Sequence, residues 1–123
     1  MVVGIDLDNT ITDIPWMFAI ISKALVDAGH EVHVITYRER GDTEQEMKGL
    51  GMTWTKVHFP EDHPLGGGSI PKWKAAVVKE LNVSVMFEDS PENLAELPPD
   101  VKRIWICDPE IFDLNKCLKG LNE

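Results

Sequence analysis

Three places in this chain have the side-chain types and spacing of a charged reaction or binding centre: Asp6 and Asp8 followed by Thr10, then Thr36, then Glu88 with Asp89. Val2-Val3-Gly4-Ile5 is a short apolar run of the kind that forms a strand buried on both faces, and it ends on the first acidic pair. Ligands bind at the carboxyl ends of such strands in parallel sheets, so Asp6 and Asp8 sit where chemistry is expected. The other reading makes them turn formers, because Asp and Asn dominate loops after strands. The pattern recurs, however, when Val83-Ser84-Val85-Met86-Phe87 runs into Glu88 and Asp89. Two acidic pairs on neighbouring strands repel strongly unless a cation lies between them. A magnesium ion with a lysine offsets that charge, and the same ion attracts a phosphate.

The elements that must position these groups alternate. Pro15 suits the first turn of a helix in which Met17, Ile20, Ile21, Ala24, Leu25 and Ala28 share one face, with Gly29 as its stop. A second strand covers Glu31 to Thr36. Thr43 and Glu46 have capping-box spacing and predict a short helix to Leu50, closed by Gly51. Thr53 to Phe59 reads as a third strand. Pro60 to Pro71 contains Gly66, Gly67 and Gly68 between prolines and predicts a loop without regular structure, a candidate flap. Pro71 opens a helix to about Leu81. A fourth strand over Val83 to Phe87, a short helix after Pro91, a fifth strand over Val101 to Ile106 and a last amphipathic helix marked by Ile111, Leu114, Leu118 and Leu121 complete the series. Strand and helix alternation of this kind predicts a three-layer, Rossmann-like α/β fold with a mostly parallel sheet.

A length of 123 residues fits a single domain spanning 1–123 with its own core. With 43% hydrophobic and 27% charged residues, the composition is that of a soluble globular protein. No apolar run reaches transmembrane length, and Val2 to Ile5 is too short and lacks the basic start of a secretory leader, so the expectation is a cytoplasmic protein with no membrane partner. Cys107 and Cys117 lack metal-type spacing and are expected to be reduced and structural. The net charge of -9 repels a polyanion and argues against broad nucleic-acid binding, while leaving room for a local site.

Helical geometry selects the lysine. Lys74 shares its face with Val77, Val78 and Leu81, the face that turns to the sheet, and Lys72 is the fallback because helix starts shift by a residue or two. His58 and His63 have no third ligand nearby in sequence and read as surface histidines rather than a zinc site. Trp54, Trp73 and Trp105 read as core or interface, and Trp16 stays open because it lies just beyond the acidic loop.

Ile5-Asp6-Leu7-Asp8-Asn9-Thr10, Val34-Ile35-Thr36, Lys74 and Phe87-Glu88-Asp89-Ser90 resemble, in order and spacing, the four motifs of the haloacid dehalogenase-like hydrolase superfamily. The resemblance implies a five-stranded sheet of order 3-2-1-4-5. It implies that Asp6 is a nucleophile forming an aspartyl-phosphate and that Asp8 is the acid and base. It further implies that Thr36 hydrogen-bonds a phosphoryl oxygen, that the lysine neutralises developing charge, and that magnesium is held by Asp6, the Asp8 carbonyl and Asp89, with Glu88 ligating directly or through water. Glu92 or Asn93 would orient a bound water. Asn9, Thr10, Thr36 and Arg38 are the candidate substrate contacts, Arg40 being a further arginine that follows Thr36.

The spacing leaves no room for the cap domain that many such hydrolases carry, so the site is expected to be open, or covered by a second copy in a homo-oligomer. The resulting expectation is a magnesium-dependent, capless phosphatase acting on a small phosphorylated substrate, a nucleotide or a polynucleotide end. The alternative is a non-catalytic phosphate-binding or regulatory module of the same fold.

Overall fold

Val2–Ile5 forms β1 and lies at the centre of the sheet. The computed structural model describes residues 1–107; the helix expected over Ile111 to Leu121, and Cys117, lie outside them. In chain order the regular elements are β1, α1 (Pro15–Asp27), β2 (Glu31–Ile35), α2 (Thr43–Gly49), β3 (Lys56–His58), α3 (Ile70–Glu80), β4 (Val85–Glu88), α4 (Pro91–Ala95) and β5 (Lys102–Trp105). The strand order is β3-β2-β1-β4-β5, and every pairing is parallel. Ile5 stands opposite Val34 on one side and Phe87 on the other, which sets the two acidic strand ends side by side.

Alternate side chains of each strand go to opposite faces. Val3, Ile5, Val32, Val34 and Val57 meet Phe18 of α1 and Met47 of α2. Ile35 and Met86 meet Trp73, Val77 and Val78 of α3 and Leu94 of α4. Two helices on each face of the sheet give the three layers expected, with no cap inserted among the described residues. Each fully buried aliphatic side chain contributes roughly 1.5–3 kcal/mol to holding those layers together.

Local details depart from the sequence-based reading. In α1, Ile20, Ala24 and Ala28 are exposed, while Phe18 and Ser22 are buried. The helix is rotated because the Phe18 ring packs edge-on against Phe87, 5.5 Å between centroids, and the Ser22 hydroxyl is satisfied by donating to the Ala19 carbonyl and accepting from the Thr53 amide. The capping box fails as well: Thr43 is already helical and donates to the Glu39 carbonyl, and Asp42 is the N-cap. The stretch after Pro60 is more ordered than expected. Pro60–Asp62 is a 3-10 turn, further turns close from Gly66 to His63 and from Gly68 to Leu65, and His63 anchors the stretch on Glu80 of α3 at 2.9 Å. A Cβ on Gly66 would lie 1.8 Å from the Pro60 carbonyl oxygen, so the turn closes only with glycine there.

Candidate functional site

β1 does not stop cleanly at Ile5. The Asp6 amide still donates to the Phe87 carbonyl at 2.9 Å, fixing Asp6 against β4. The chain then turns through 7–11, with Asp8 extended and Asn9 left-handed at φ 60°, a conformation Asn adopts more easily than most residues. That turn brings buried Thr10 back so that its hydroxyl donates to Asp6 Oδ2 at 3.2 Å. The Asn9 amide donates to Thr12 Oγ1 at 2.9 Å, and the Asn9 residue itself is exposed.

Lys74 reaches the sheet from the buried face of α3, as its spacing with Val77 and Val78 requires, whereas Lys72 is exposed. Its Nζ donates to Asp6 Oδ1 at 2.6 Å and to Glu88 Oε2 at 2.8 Å. Burial alone would lower the Lys74 pKa, but the two carboxylates outweigh it and the ammonium is held above its ordinary value. Glu88 is saturated by protein donors, since its Oε1 also accepts from the Ser90 amide and Asn93 Nδ2, both at 3.3 Å. Burial pushes its pKa up against the opposing pull of Lys74.

Asp89 completes the cluster: a carboxylate oxygen from each of Asp6, Glu88 and Asp89 lies within 4.8 Å of the others. Trp105 Nε1 donates to the Asp89 carbonyl at 2.9 Å and ties its backbone to β5. Burial first, and then hydrogen bonding to Asp6 and Glu88, raises the Asp89 carboxyl to about 7. With all three ionised, the carboxylates leave two negative charges against the one ammonium, which one divalent cation balances. Oxygen donors alone are what magnesium or calcium takes. The donor set therefore fits magnesium, with Asp89 as the carboxylate left freest by the protein.

Asp8 lies elsewhere. Its carboxylate is half exposed and is gripped by Arg38, whose Nε donates to both oxygens at 2.9 and 3.0 Å and whose Nη2 donates to Oδ1 at 2.6 Å. Arg38 Nη1 also donates to Glu46 of α2. Hydrogen bonds to Asp8, then to Glu46, raise the guanidinium pKa beyond its already high value. Thr36 is fully buried at the end of β2, with its amide on the His58 carbonyl and its hydroxyl accepting from the Arg38 amide at 3.3 Å. Asn93 holds Glu88, and Glu92 accepts from the Ser90 hydroxyl.

Two partners were missed by the sequence reading. Glu46, expected in a capping box, instead accepts from Arg38. His58 is half-buried rather than a surface residue, with its Nε2 2.8 Å from His33 Nδ1, and Glu31 lies 3.2 Å from His33 Nε2. The strand periodicity carried the signal, because Glu31, His33 and Ile35 share one face of β2, and the register sets His58 opposite Ile35.

No family model matches this chain, and no curated protein matches it. Among solved structures it is similar to a universal stress protein in a crystal structure with cAMP, at TM-score 0.49 and 8% identity, over 86% of this chain and 97% of that one. That finding corrects the expectation of a haloacid dehalogenase-like hydrolase, since the neighbour is of another family. The magnesium-dependent phosphomonoester hydrolase expected from that resemblance is corrected with it. A likeness this loose brings neither ligand nor activity to this chain. Among the described residues no helix is long and apolar enough to cross a membrane.

Proposed function

We propose that the chain is a binding module for a small phosphorylated ligand, held through a magnesium ion at the carboxyl edge of the sheet. One observation carries this reading: Asp6, Glu88 and Asp89 converge around a buried lysine with a charge deficit that one divalent cation fills. Asp6 and Asp89 would hold the ion, and Glu88 and Lys74 would keep Asp6 in place. Thr36, just past the end of β2, and the turn at Asn9 and Thr10, just past the end of β1, follow neighbouring strand ends and would lie nearest the phosphate. A binding role asks nothing of Asp8 as a proton donor. The net charge of -9 disfavours a polynucleotide and leaves a small ligand. The cytoplasm, where phosphorylated small molecules are made and used, is the compartment that suits it.

Titration calorimetry with magnesium chloride, followed by inorganic phosphate, tests the reading. Magnesium should bind the wild type, phosphate should bind only with magnesium present, and Asp89→Asn should lose both heats while remaining folded. Unchanged magnesium binding by Asp89→Asn, or phosphate binding indifferent to magnesium, would overturn it.

A further inference from the structure

β2 ends at Ile35, and one residue beyond buried Thr36 the chain enters the wall of a separate cavity. Residues 37–41, with Pro60 and Glu61, line an open-sided hollow of about 470 Å3, a volume typical of small-molecule sites. Arg38 lines this cavity while its guanidinium rests on Asp8, two residues past Asp6. A phosphate held beside Thr36 thus has an open-sided hollow for the rest of its molecule one residue further along the chain.

The lining is not that of a second anion site. Arg38 is already engaged by Asp8 and Glu46, and Arg40 by Asp62, while Glu39 and Glu61 add carboxylates to the wall. What the wall does offer is planar surface with mixed polar groups around it. The Tyr37 ring is 40% exposed and is braced edge-on by fully buried Trp73, 5.7 Å between centroids. The Arg40 guanidinium lies over the Phe59 ring at 4.6 Å and is fixed by both Asp62 oxygens at 2.6 and 2.7 Å. Aromatic rings and guanidinium planes are surfaces on which flat heterocycles stack, and carboxylates accept from exocyclic amino groups.

We propose that this cavity takes the base of a nucleoside monophosphate whose phosphate sits at the magnesium site; this rests on the phosphate-binding reading above. Calorimetry with magnesium and three probes, AMP, ribose 5-phosphate and inorganic phosphate, tests it on the whole chain. AMP should bind about tenfold or more tighter than ribose 5-phosphate, the gain a single stacking contact provides. Tyr37→Leu should bring AMP down to the ribose 5-phosphate level and leave inorganic phosphate unchanged. Arg40→Ala, at a half-exposed side chain, should weaken AMP in the same sense and serves where Tyr37→Leu fails to fold. Equal binding of AMP and ribose 5-phosphate overturns the base assignment while leaving the phosphate-binding reading standing. Absence of binding by all three probes overturns both.

Discussion

Lys74 and Arg38 each lie between two carboxylates, in opposite surroundings. Lys74 bridges Asp6 and Glu88 with all three side chains at most 8% exposed. Arg38 bridges Asp8 and Glu46 with its own side chain 29% exposed and the carboxylates about half exposed. Counted as charges the two triads are the same. In the buried one, water cannot replace a lost partner, so each charge depends on the other two. In the exposed one, water stands in, and the pairing contributes little to stability. The buried triad also has Asp89 beside it, so its negative charge is left in excess where screening is weakest. That excess is what makes one triad a candidate for a cation and leaves the other a surface strut between the turn after β1 and α2.

The largest effect should follow from breaking the buried triad. Lys74→Ala leaves Asp6 and Glu88 facing each other without a cation and should cost about 3–5 kcal/mol in urea unfolding. The triple variant Asp6→Asn, Lys74→Met, Glu88→Gln keeps the shapes and removes the charges, so it should lie closer to wild type than Lys74→Ala does. A loss below about 1 kcal/mol for Lys74→Ala would put the buried triad on the footing of a surface pair and dissolve the contrast.

A smaller effect separates the triads by pH. Asp89 titrates at about 7 in the fold against an ordinary 3.8, chiefly because of burial and then through Asp6 and Glu88. With the folded value raised, its stabilising contribution is fully present below 3.8 and is lost as pH rises through about 7. His58 acts with the opposite sign. Burial, then His33 and Lys56, lower it to about 4, so its contribution is present above 6.5 and is lost as pH falls through about 4. The Asp89 term is therefore read as the difference in melting temperature between wild type and Asp89→Asn. That difference should turn against the wild type between pH 5 and pH 8. Magnesium, which takes the place of the proton, should raise the wild-type melting temperature more at pH 8 than at pH 5. A difference that is flat with pH would mean that Asp89 is not crowded by Asp6 and Glu88.

The buried triad was legible in the sequence and the exposed one was not, for a physical reason. Strand periodicity put Asp6 and Glu88 at strand ends, and the 3.6-residue repeat through Val77 and Val78 turned Lys74 toward them. Burial leaves such a pattern because each element must turn its apolar side inward. The alternation of elements gave a mostly parallel sheet, and the sheet order itself came only from the family resemblance. Arg38 and Glu46 obey no such constraint; both sit on the polar side of their segments, and their meeting depends on how the loop after β2 folds. The rotation of α1 escaped for a related reason, since Ser22 is buried by satisfying its hydroxyl and Ile20 is left outside. A hydrophobicity pattern reads neither. The family resemblance acted at another level: three of its motifs supply the residues of the charged cluster, Asp6, Lys74, Glu88 and Asp89, while no family model matches the chain.

The smallest stability effect, and the one that isolates a ligand role for the surface strut, is expected from Arg38→Ala. Its partners are half exposed, so losing the bridge should cost under about 1 kcal/mol, and high salt should shrink that cost further because screening reaches exposed charges first. Lys74→Ala should show no comparable salt dependence. If Arg38 also contacts the phosphate, the same substitution should weaken magnesium-dependent phosphate binding far more than it weakens the fold. Arg38→Lys should restore the net charge without the fork that now grips Asp8 at two nitrogens. Phosphate affinity measured by calorimetry beside the urea midpoint separates the two roles. A drop in affinity with an unmoved midpoint makes Arg38 a ligand residue resting on Asp8, and parallel changes in both make it a strut alone.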